Sequence, residues 1–247
     1  MGKSLRMVHA SGNTFMSLAK TQSDVGQLVD LKPAPLWITL TETAEEETIR
    51  AIRAEIIKKG APYNLLNPDN GDISFLIHHD ARIKDHIGRL AIPQKHAPAA
   101  EGGHGPRYNS SVALEWQEEI IWANGCHFVT FKTKGGTRGD QQVTQANLMG
   151  KAMSHQAKGR VLSVGSGDLN GQLPNRADLQ AVFDKWRMTT TAEETGNHTG
   201  THDNARIDYA WTMDKDRRLS VEKMRVLKVR EFNSDHDPVV VDLTIRS

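Results

Sequence analysis

The feature that most constrains the fold is a series of short apolar runs, each of which lies beside acidic, amide or imidazole side chains. Residues 36–40 and 161–164 form two such runs, and both have the length of a buried strand. In the last run, residues 239–245, apolar side chains occupy every second position, which predicts a strand with one face in the core. We therefore expect the chain to be built around a β-sheet.

Three segments between the predicted strands have the apolar spacing of amphipathic helices. The first follows a capping-box pattern that begins at Thr43, and it stops at Gly60. The second ends at Gly159 and the third begins near Asn175. Strands interspersed with helices, without an internal repeat or a linker, predict one α/β or α+β domain over residues 1–247.

A segment rich in Pro, Gly, Ala and His, residues 93–107, interrupts this pattern and is predicted to form a long surface loop. Two further strands are expected after it, over residues 111–116 and 127–131.

Composition excludes several classes of protein. With 38% hydrophobic and 25% charged residues, a chain of 247 residues forms a sizeable core. No apolar run reaches the ~18 residues of a membrane helix, and the first residues lack the features of a signal peptide. The single cysteine, Cys126, excludes an internal disulfide framework. We therefore expect a cytoplasmic protein that has no membrane partner.

The net charge of +1, from 31 Lys and Arg against 30 Asp and Glu, does not by itself indicate nucleic acid. A phosphate-rich ligand then requires a local basic patch or a metal ion that offsets the repulsion.

Polar side chains collect at the ends of the predicted strands. They are, in chain order, Glu42, Asp168, Asn170, Asp208, Asp235 and His236. Side chains at strand ends converge on one rim of a sheet, where ligands tend to bind. Carboxylate and amide oxygens suit Mg²⁺, Mn²⁺ or Ca²⁺, and such a set has the groups that attack of water on phosphorus requires. Each residue alone also fits a structural role, such as a turn or, for Asp208, an ion pair with Arg206.

The order and context of these residues resemble the motifs of the endonuclease/exonuclease/phosphatase superfamily, which includes DNase I-like and exonuclease III-like nucleases. The segments that carry the resemblance are Gly12-Asn13-Thr14, Leu40-Thr41-Glu42, Gly167-Asp168-Leu169-Asn170, Arg206-Ile207-Asp208-Tyr209 and Ser234-Asp235-His236-Asp237-Pro238-Val239. The last two match the family pattern outright, and the five segments span nearly the whole chain in the family's order.

The resemblance implies a four-layered α-β-β-α sandwich, in which two packed mixed sheets are flanked by helices. It also implies a cofactor, Mg²⁺ or Mn²⁺, at one rim of the sandwich. The resemblance implies that Glu42 binds the metal, with Asn13 beside it and Asp235 in support. It implies that Asp168 activates the attacking water. It also implies that Asn170 and His236 contact the phosphate and that Asp208 orients His236.

Two departures from the family pattern bear on catalysis. Thr41 stands where the family has Gln. Many members also end a central strand with Asn-Thr-His, whose histidine helps to protonate the leaving group. When the stretch 128–134 is aligned with that strand, Lys132 or Lys134 takes the histidine's place, and we assign Lys134 as a candidate catalytic residue. Arg107, after the long loop, is a candidate phosphate contact or a loop anchor.

Three functions follow from these observations as hypotheses. The first is a metal-dependent phosphodiesterase that hydrolyses DNA, as an endonuclease or an exonuclease. The second is a phosphatase of nucleotides, inositol phosphates or phospholipids. The third is a non-catalytic binding module that retains the cleft. Histidine pairs at residues 78–79 and at His198 and His202 also suggest zinc, although a solvated role is the simpler interpretation, and His202 lies close enough to Arg206 to line the same cleft.

Overall fold

The structure is a computed structural model that describes residues 2–12, 16–68, 72–90, 109–128, 132–133, 136–137, 139–158, 160–213, 216–228 and 232–246. In this part of the chain the strands are β1 Lys3–Ser11, β2 Trp37–Thr41, β3 Tyr63–Leu66, β4 Ser74–His78, β5 Arg82–Leu90, β6 Asn109–Trp116, β7 Glu119–His127, β8 Lys132–Thr133, β9 Gly136–Thr137, β10 Leu162–Asp168, β11 Thr189–Thr190, β12 Asp208–Met213, β13 Leu219–Val226 and β14 Val239–Ile245. The helices are α1 Leu18–Val29, α2 Glu46–Lys59, α3 Gly139–Gln156, α4 Ala177–Trp186 and α5 Thr191–Thr195.

Twelve of these strands form two mixed sheets of six strands each, and β8 and β9 pair with each other. The first sheet has the order β13-β14-β1-β2-β4-β3 and the second has the order β11-β12-β10-β7-β6-β5. In each sheet one central pair is parallel, β1 with β2 and β10 with β7, while the other pairs are antiparallel. Parallel neighbours end at the same rim, so the carboxyl ends of these four strands set where a site can form.

Three apolar clusters hold four layers together. The cluster between the sheets includes Met7 and Trp37 from the first sheet and Val112 and Val164 from the second. A second cluster packs α3 and α4 on the outer face of the second sheet, and a third packs α1 and α2 on the outer face of the first. This is the α-β-β-α sandwich that the sequence motifs implied. No helix in the described residues is long and apolar enough to cross a membrane.

Most of the predicted elements are present. The predicted strands at residues 36–40, 161–164 and 239–245 correspond to β2, β10 and β14. Helix α2 ends where Gly60 adopts a left-handed conformation with φ of 58°, as expected for a helix-stopping glycine. Its start differs, because the residue before the helix is Glu45 and the Thr43 hydroxyl instead lies 2.8 Å from that of Ser74.

Helix α1 has no counterpart in the sequence prediction. Its buried face mixes Val25 and Leu28 with the polar Thr21 and Asp24, which weakens the apolar periodicity. The residue before it, Ser17, makes no side-chain cap hydrogen bond, and its first turn has no acidic residue. The usual signals for the start of a helix are therefore missing.

The hairpin of β6 and β7 explains a second difference. A strand was predicted over residues 127–131, but β7 ends at His127 instead of beginning there. The two-residue turn of the hairpin consists of Gln117 and Glu118, with φ of 48° and 68°. Positive φ at both positions is typical of a type I′ turn, which normally uses Asn or Gly. Because Gln and Glu stand there instead, the residue types do not predict a turn at this point.

The close approach of β10 and β12 depends on Gly165. A Cβ atom at this position would lie 2.1 Å from Nε1 of Trp211, which is fully buried and packs edge-on against Phe183. Because the indole has no room to retreat, any side chain at residue 165 must displace the core of the second sheet.

We predict that Gly165→Ala lowers the free energy of unfolding by about 1–3 kcal/mol, measured by urea denaturation. Gly171→Ala is the matched control, because its Cβ would meet nothing closer than 3.6 Å. Equal denaturation midpoints for the Gly165→Ala variant and the wild type would contradict this account of the packing.

Candidate active site

Strand ends from both sheets converge on one rim of the sandwich. In the second sheet, Asp168 at the end of β10 is paired with Asp208 on β12 and with His127 at the end of β7. In the first sheet, β1 and β2 end side by side, with Ser11 opposite Thr41. The rim therefore collects the polar residues that end these strands, together with the segment just before β14.

One buried carboxylate binds two imidazoles. Asp208 Oδ2 lies 2.8 Å from Nδ1 of His236, and its Oδ1 lies 3.0 Å from Nε2 of His9. Nδ1 of His9 is buried without a partner among the described residues, so the proton of a neutral His9 belongs on Nε2, where it is donated to Asp208. Because Nδ1 of His236 is hydrogen-bonded to Asp208, Nε2 is the nitrogen of this ring that can contact a ligand.

The charges of this group are mutually stabilised. Burial lowers the pKa of His236, but the charge of Asp208 and its hydrogen bond outweigh burial and raise that pKa to about 10. Burial raises the pKa of Asp208, but His236 and His9 together hold it well below its usual range. The site therefore favours an imidazolium on His236 beside an ionised Asp208.

A second carboxylate–imidazole pair faces the first. His127, which is almost fully buried, has Nδ1 2.6 Å from Oδ2 of Asp72. Its Nε2 lies 3.4 Å from Oδ2 of Asp168 and 3.8 Å from Oε1 of Glu42. Asp72 thus fixes the ring by accepting a hydrogen bond from one nitrogen, and the other nitrogen faces two carboxylates.

Asp168 is held by its own turn. Its Oδ1 accepts a hydrogen bond of 2.6 Å from the backbone N–H of Asn170, and its Oδ2 accepts one of 3.1 Å from the Asn170 side-chain amide. The same amide donates to the carbonyl of Phe128 at 2.8 Å. The amide is therefore oriented by the site before any ligand binds.

Two site residues adopt a backbone conformation that side chains rarely take. Glu42 has φ of 58° and Asn170 has φ of 48°, both in the left-handed region. For Glu this conformation costs about 1–2 kcal/mol, so the fold holds it there against its preference. Such strain is concentrated at functional sites, which supports a functional role for Glu42.

The loop before β14 is held in place by hydrogen bonds to Asp24 of α1. The Asp24 carboxylate accepts hydrogen bonds from the backbone N–H groups of Asn233 and Ser234 at 2.8–2.9 Å. The Ser234 hydroxyl in turn accepts a hydrogen bond from the His236 backbone N–H at 3.1 Å. The position of His236 therefore depends on a helix that the sequence did not reveal.

The structure brings most of the predicted site residues together. Glu42, Asp168, Asn170, Asp208 and His236 line the same rim. Asp235 lies on the adjacent loop and is largely exposed, with its carboxylate 3.5 Å from His202 Nε2. Three predicted residues lie outside the described residues, and their assignments stay predictions: Asn13, Lys134 and Arg107.

The sequence prediction missed His9, Asp72 and His127. The case of His127 is the most consequential, because the alignment of residues 128–134 put Lys132 or Lys134 in the family histidine's place. The structure ends β7 at His127, and Lys134 lies outside the described residues, so its assignment stays a prediction. The apolar run of residues 120–123 was the available signal, since it places a strand before His127 and not after it.

The donor set of the rim fits a hard divalent cation. One oxygen of Glu42 lies 3.8 Å from Nε2 of His127, and one oxygen of Asp168 lies 3.4 Å from the same nitrogen. The two carboxylates therefore face a common space. Carboxylate and amide oxygens are the ligands of Mg²⁺ and Mn²⁺. Asp168, Asp208 and His236 also offer ligand atoms within 4.8 Å of one another.

The sequence matches no protein family and no curated protein. Solved structures are similar over the full chain. An endonuclease/exonuclease/phosphatase family protein of Bacteroides thetaiotaomicron covers 100% of both chains with a TM-score of 0.78 and 16% identity. D. rerio TDP2, solved with a single-strand DNA product, covers 98% of this chain and 99% of its own, with a TM-score of 0.73 and 12% identity. A mannosyl-6-phosphatase of Bacteroides thetaiotaomicron covers 97% and 99%, with a TM-score of 0.73 and 16% identity.

The resemblance seen in the motifs is thus confirmed at the level of the fold. This chain has the fold of the endonuclease/exonuclease/phosphatase family. The same fold is used by a phosphatase and by a protein solved with a DNA product, so the fold by itself does not select a substrate.

We predict that the His236–Asp208 pair makes stability fall with pH on the alkaline side. Below the ordinary histidine pKa of about 6.5, His236 is charged in the folded and the unfolded chain, and the pair stabilises the fold fully. As the pH rises towards 10, the unfolded chain loses its proton first, so the free energy of unfolding falls by up to about 1.4 kcal/mol per pH unit.

The Asp208→Asn variant should lose this slope, as measured by denaturant unfolding between pH 6.5 and 10. Asp178→Asn is the control, since a hydrogen bond from Arg176 lowers the pKa of Asp178, so this pair changes the slope of stability against pH only at acid pH and leaves the alkaline slope unaltered. An Asp208→Asn variant with the wild-type alkaline slope would refute the assignment.

Proposed function

We propose that this protein is a metal-dependent phosphodiesterase that hydrolyses DNA by in-line attack of a water molecule. The observation that supports this best is the placement of Asp168 between two imidazoles, each fixed by its own carboxylate: His127 by Asp72 and His236 by Asp208. In-line hydrolysis needs a base on one side of phosphorus, a donor for the non-bridging oxygens and an acid for the leaving oxygen.

Asp168 takes the role of the base. Both of its oxygens are already fixed by hydrogen bonds from Asn170, so the carboxylate does not need to reorient when substrate binds. It accepts a proton from the attacking water while the water oxygen forms the new bond to phosphorus. Asn170 donates one N–H of its side-chain amide to a phosphate oxygen, which requires it to give up its hydrogen bond to Asp168 Oδ2 while its backbone N–H continues to hold Oδ1.

His236 takes the role of the phosphate donor. Its raised pKa keeps the ring charged at neutral pH, and a charged donor stabilises the negative charge that spreads over the phosphate oxygens. Asp208 holds the ring through Nδ1, so Nε2 carries the proton that meets the substrate. His9 contributes by fixing the other oxygen of Asp208.

His127 takes the role of the acid. The bond between phosphorus and the leaving oxygen breaks, and the leaving oxygen receives the proton from Nε2 of His127. The hydrogen bond from Nδ1 to Asp72 orients the ring and stabilises its charged form. This role replaces the one that the sequence assigned to Lys134.

Glu42, with Asp168 and Asn170, supplies the oxygen donors for Mg²⁺ or Mn²⁺, and Asp235 is proposed to support this cation. The bound cation would neutralise charge on the phosphate and on the leaving oxygen. Asn13 and Arg107 remain candidates for a contact with the cation and with phosphate, respectively.

We predict that Asp168→Asn and His127→Gln each lower kcat on a DNA substrate by about 10²–10⁴-fold, the usual size of general acid–base effects. Cleavage of plasmid and short duplexes in Mg²⁺ or Mn²⁺, with and without chelator, measures this. His86→Gln is the matched control, because His86 is an exposed histidine on β5.

Equal cleavage by the wild type and Asp168→Asn on every nucleic acid would end the nuclease proposal. Full activity of His127→Gln, with loss only on substitution of Lys134, would restore the lysine as the acid.

A phosphatase of small phosphoesters is the second candidate. It is favoured by the net charge of +1 and by the similarity to a mannosyl-6-phosphatase, which equals in TM-score the similarity to the DNA-bound TDP2. Release of phosphate from sugar, nucleotide, inositol or lipid phosphates, with no cleavage of polymers, would select it. The third candidate, a non-catalytic binding module that retains the cleft, rests on Thr41 and on the lysine in the family histidine's place, and measurable turnover that Glu42→Ala abolishes would dismiss it.

A further inference from the structure

A second cluster of metal-ligating side chains lies at the edge of the rim. It consists of His202, Asp235 and His236, whose ligand atoms all lie within 4.8 Å of one another. Nε2 of His202 is 3.5 Å from Oδ2 of Asp235, and the rings of His202 and His236 are 4.8 Å apart between centroids. None of the roles proposed above uses His202.

The turn that carries His202 is a fixed structure. His202 and Ala205 form a β-bridge, and the two residues between them, Asp203 and Asn204, have φ of 44° and 63°. Two successive left-handed residues make a tight turn of the hairpin type. The position of the His202 backbone is therefore set by the fold and not by a ligand.

Thr201 ties this turn to the other two ligands. Its carbonyl accepts a hydrogen bond of 2.7 Å from the Asp237 backbone N–H, next to His236. Its hydroxyl accepts a hydrogen bond of 3.1 Å from the backbone N–H of Asp208, the residue that orients His236. The two loops that supply the cluster are thus joined at their bases, so a metal closes the cluster by side-chain rotation together with release of the Nε2 proton of His236 to solvent.

The side chains themselves have room to rotate. The His202 side chain is 31% exposed and that of Asp235 is 61% exposed, whereas His236 is held by Asp208. Ligand atoms around Zn²⁺ lie about 3–3.5 Å apart, because each bond is about 2.0–2.2 Å long. A closure of little more than 1 Å therefore brings the three groups into coordination.

The chemistry of this cluster differs from that of the main cation site. Two imidazole nitrogens and one carboxylate suit Zn²⁺ and its neighbours in the transition series, whereas Mg²⁺ prefers oxygen ligands. Three protein ligands leave a coordination position for water or phosphate.

We propose that His202, Asp235 and His236 form a binding site for a transition-metal cation of the Zn²⁺ class, and that its occupancy blocks the phosphate donor. The binding part stands on the cluster alone. The inhibitory part rests on the proposed function, because it follows from occupation of Nε2 of His236, the nitrogen assigned to the substrate phosphate.

The test is titration of the chelator-treated protein with Zn²⁺ by calorimetry, first without Mg²⁺ and then with an excess of it, because Asp235 is shared with the proposed main cation site. Wild type should bind one Zn²⁺, and His202→Asn should bind it at least about tenfold more weakly. Replacing Zn²⁺ by Co²⁺ should give a visible absorption band that His202→Asn loses.

Two variants separate this site from its surroundings. His198→Asn removes an exposed histidine of the same loop that lies outside the cluster, and it should leave the affinity unchanged. Glu42→Gln removes a ligand of the main cation site and should also leave it unchanged. Three results would each contradict the proposed site: a Zn²⁺ affinity of His202→Asn equal to that of the wild type, a lower Zn²⁺ affinity in Glu42→Gln, or no saturable Zn²⁺ binding by the wild type.

Hydrolysis assays then test the inhibitory part. Zn²⁺ should inhibit the wild type and His198→Asn, and His202→Asn should need at least about tenfold more Zn²⁺ for half inhibition. If Zn²⁺ binds without inhibiting hydrolysis, the inhibitory part of the proposal is wrong and the binding part still holds. A protein without hydrolase activity would overturn the proposed function, while calorimetry would still decide whether the cluster binds metal.

Discussion

The buried carboxylate of Asp208 is the contact on which the rest of the rim depends. It belongs to the second sheet, while both of its imidazole partners, His9 on β1 and His236 before β14, belong to the first. A buried carboxylate costs several kcal/mol unless it is paired, and here the pairing is available only when the two sheets meet at this rim. The apolar core presses the sheets together in general. Asp208 specifies how their ends align.

In the His127–Asp72 pair the sheets exchange roles, so that the carboxylate comes from the first sheet and the imidazole from the second. Asp72 enters β4 of the first sheet, and its partner His127 ends β7 of the second. Each sheet thus contributes a carboxylate to an imidazole of the other, and neither pair exists in an isolated sheet. This explains why no single sequence segment reveals the pairs: the hydrogen-bonded residues are 55 and 28 positions apart, and the contact with His9 spans 199 positions.

The architecture was predictable because the motifs after β2 and β10 and around β12 and β14 are local in sequence and together resemble one family. Sequence reasoning placed Asp168 and Asn170 correctly, since their turn is formed by neighbours in the chain. It failed at His127 because the turn before β7, Gln117 and Glu118, takes left-handed conformations without Asn or Gly. The unrecognised turn moved a predicted strand to residues 127–131, so His127 was taken as the first residue of a strand and not as a polar residue at a strand's end.

The balance of charge at the rim argues for a cation independently of any relative. Glu42, Asp72, Asp168 and Asp208 gather there, and burial of Cys126, together with the nearby charges of Asp168 and Asp208, raises the pKa of its thiol. The imidazolium of His236 offsets one of these charges. Like charges this close repel strongly at low dielectric, so an additional cation stabilises the arrangement that the folded chain has already built.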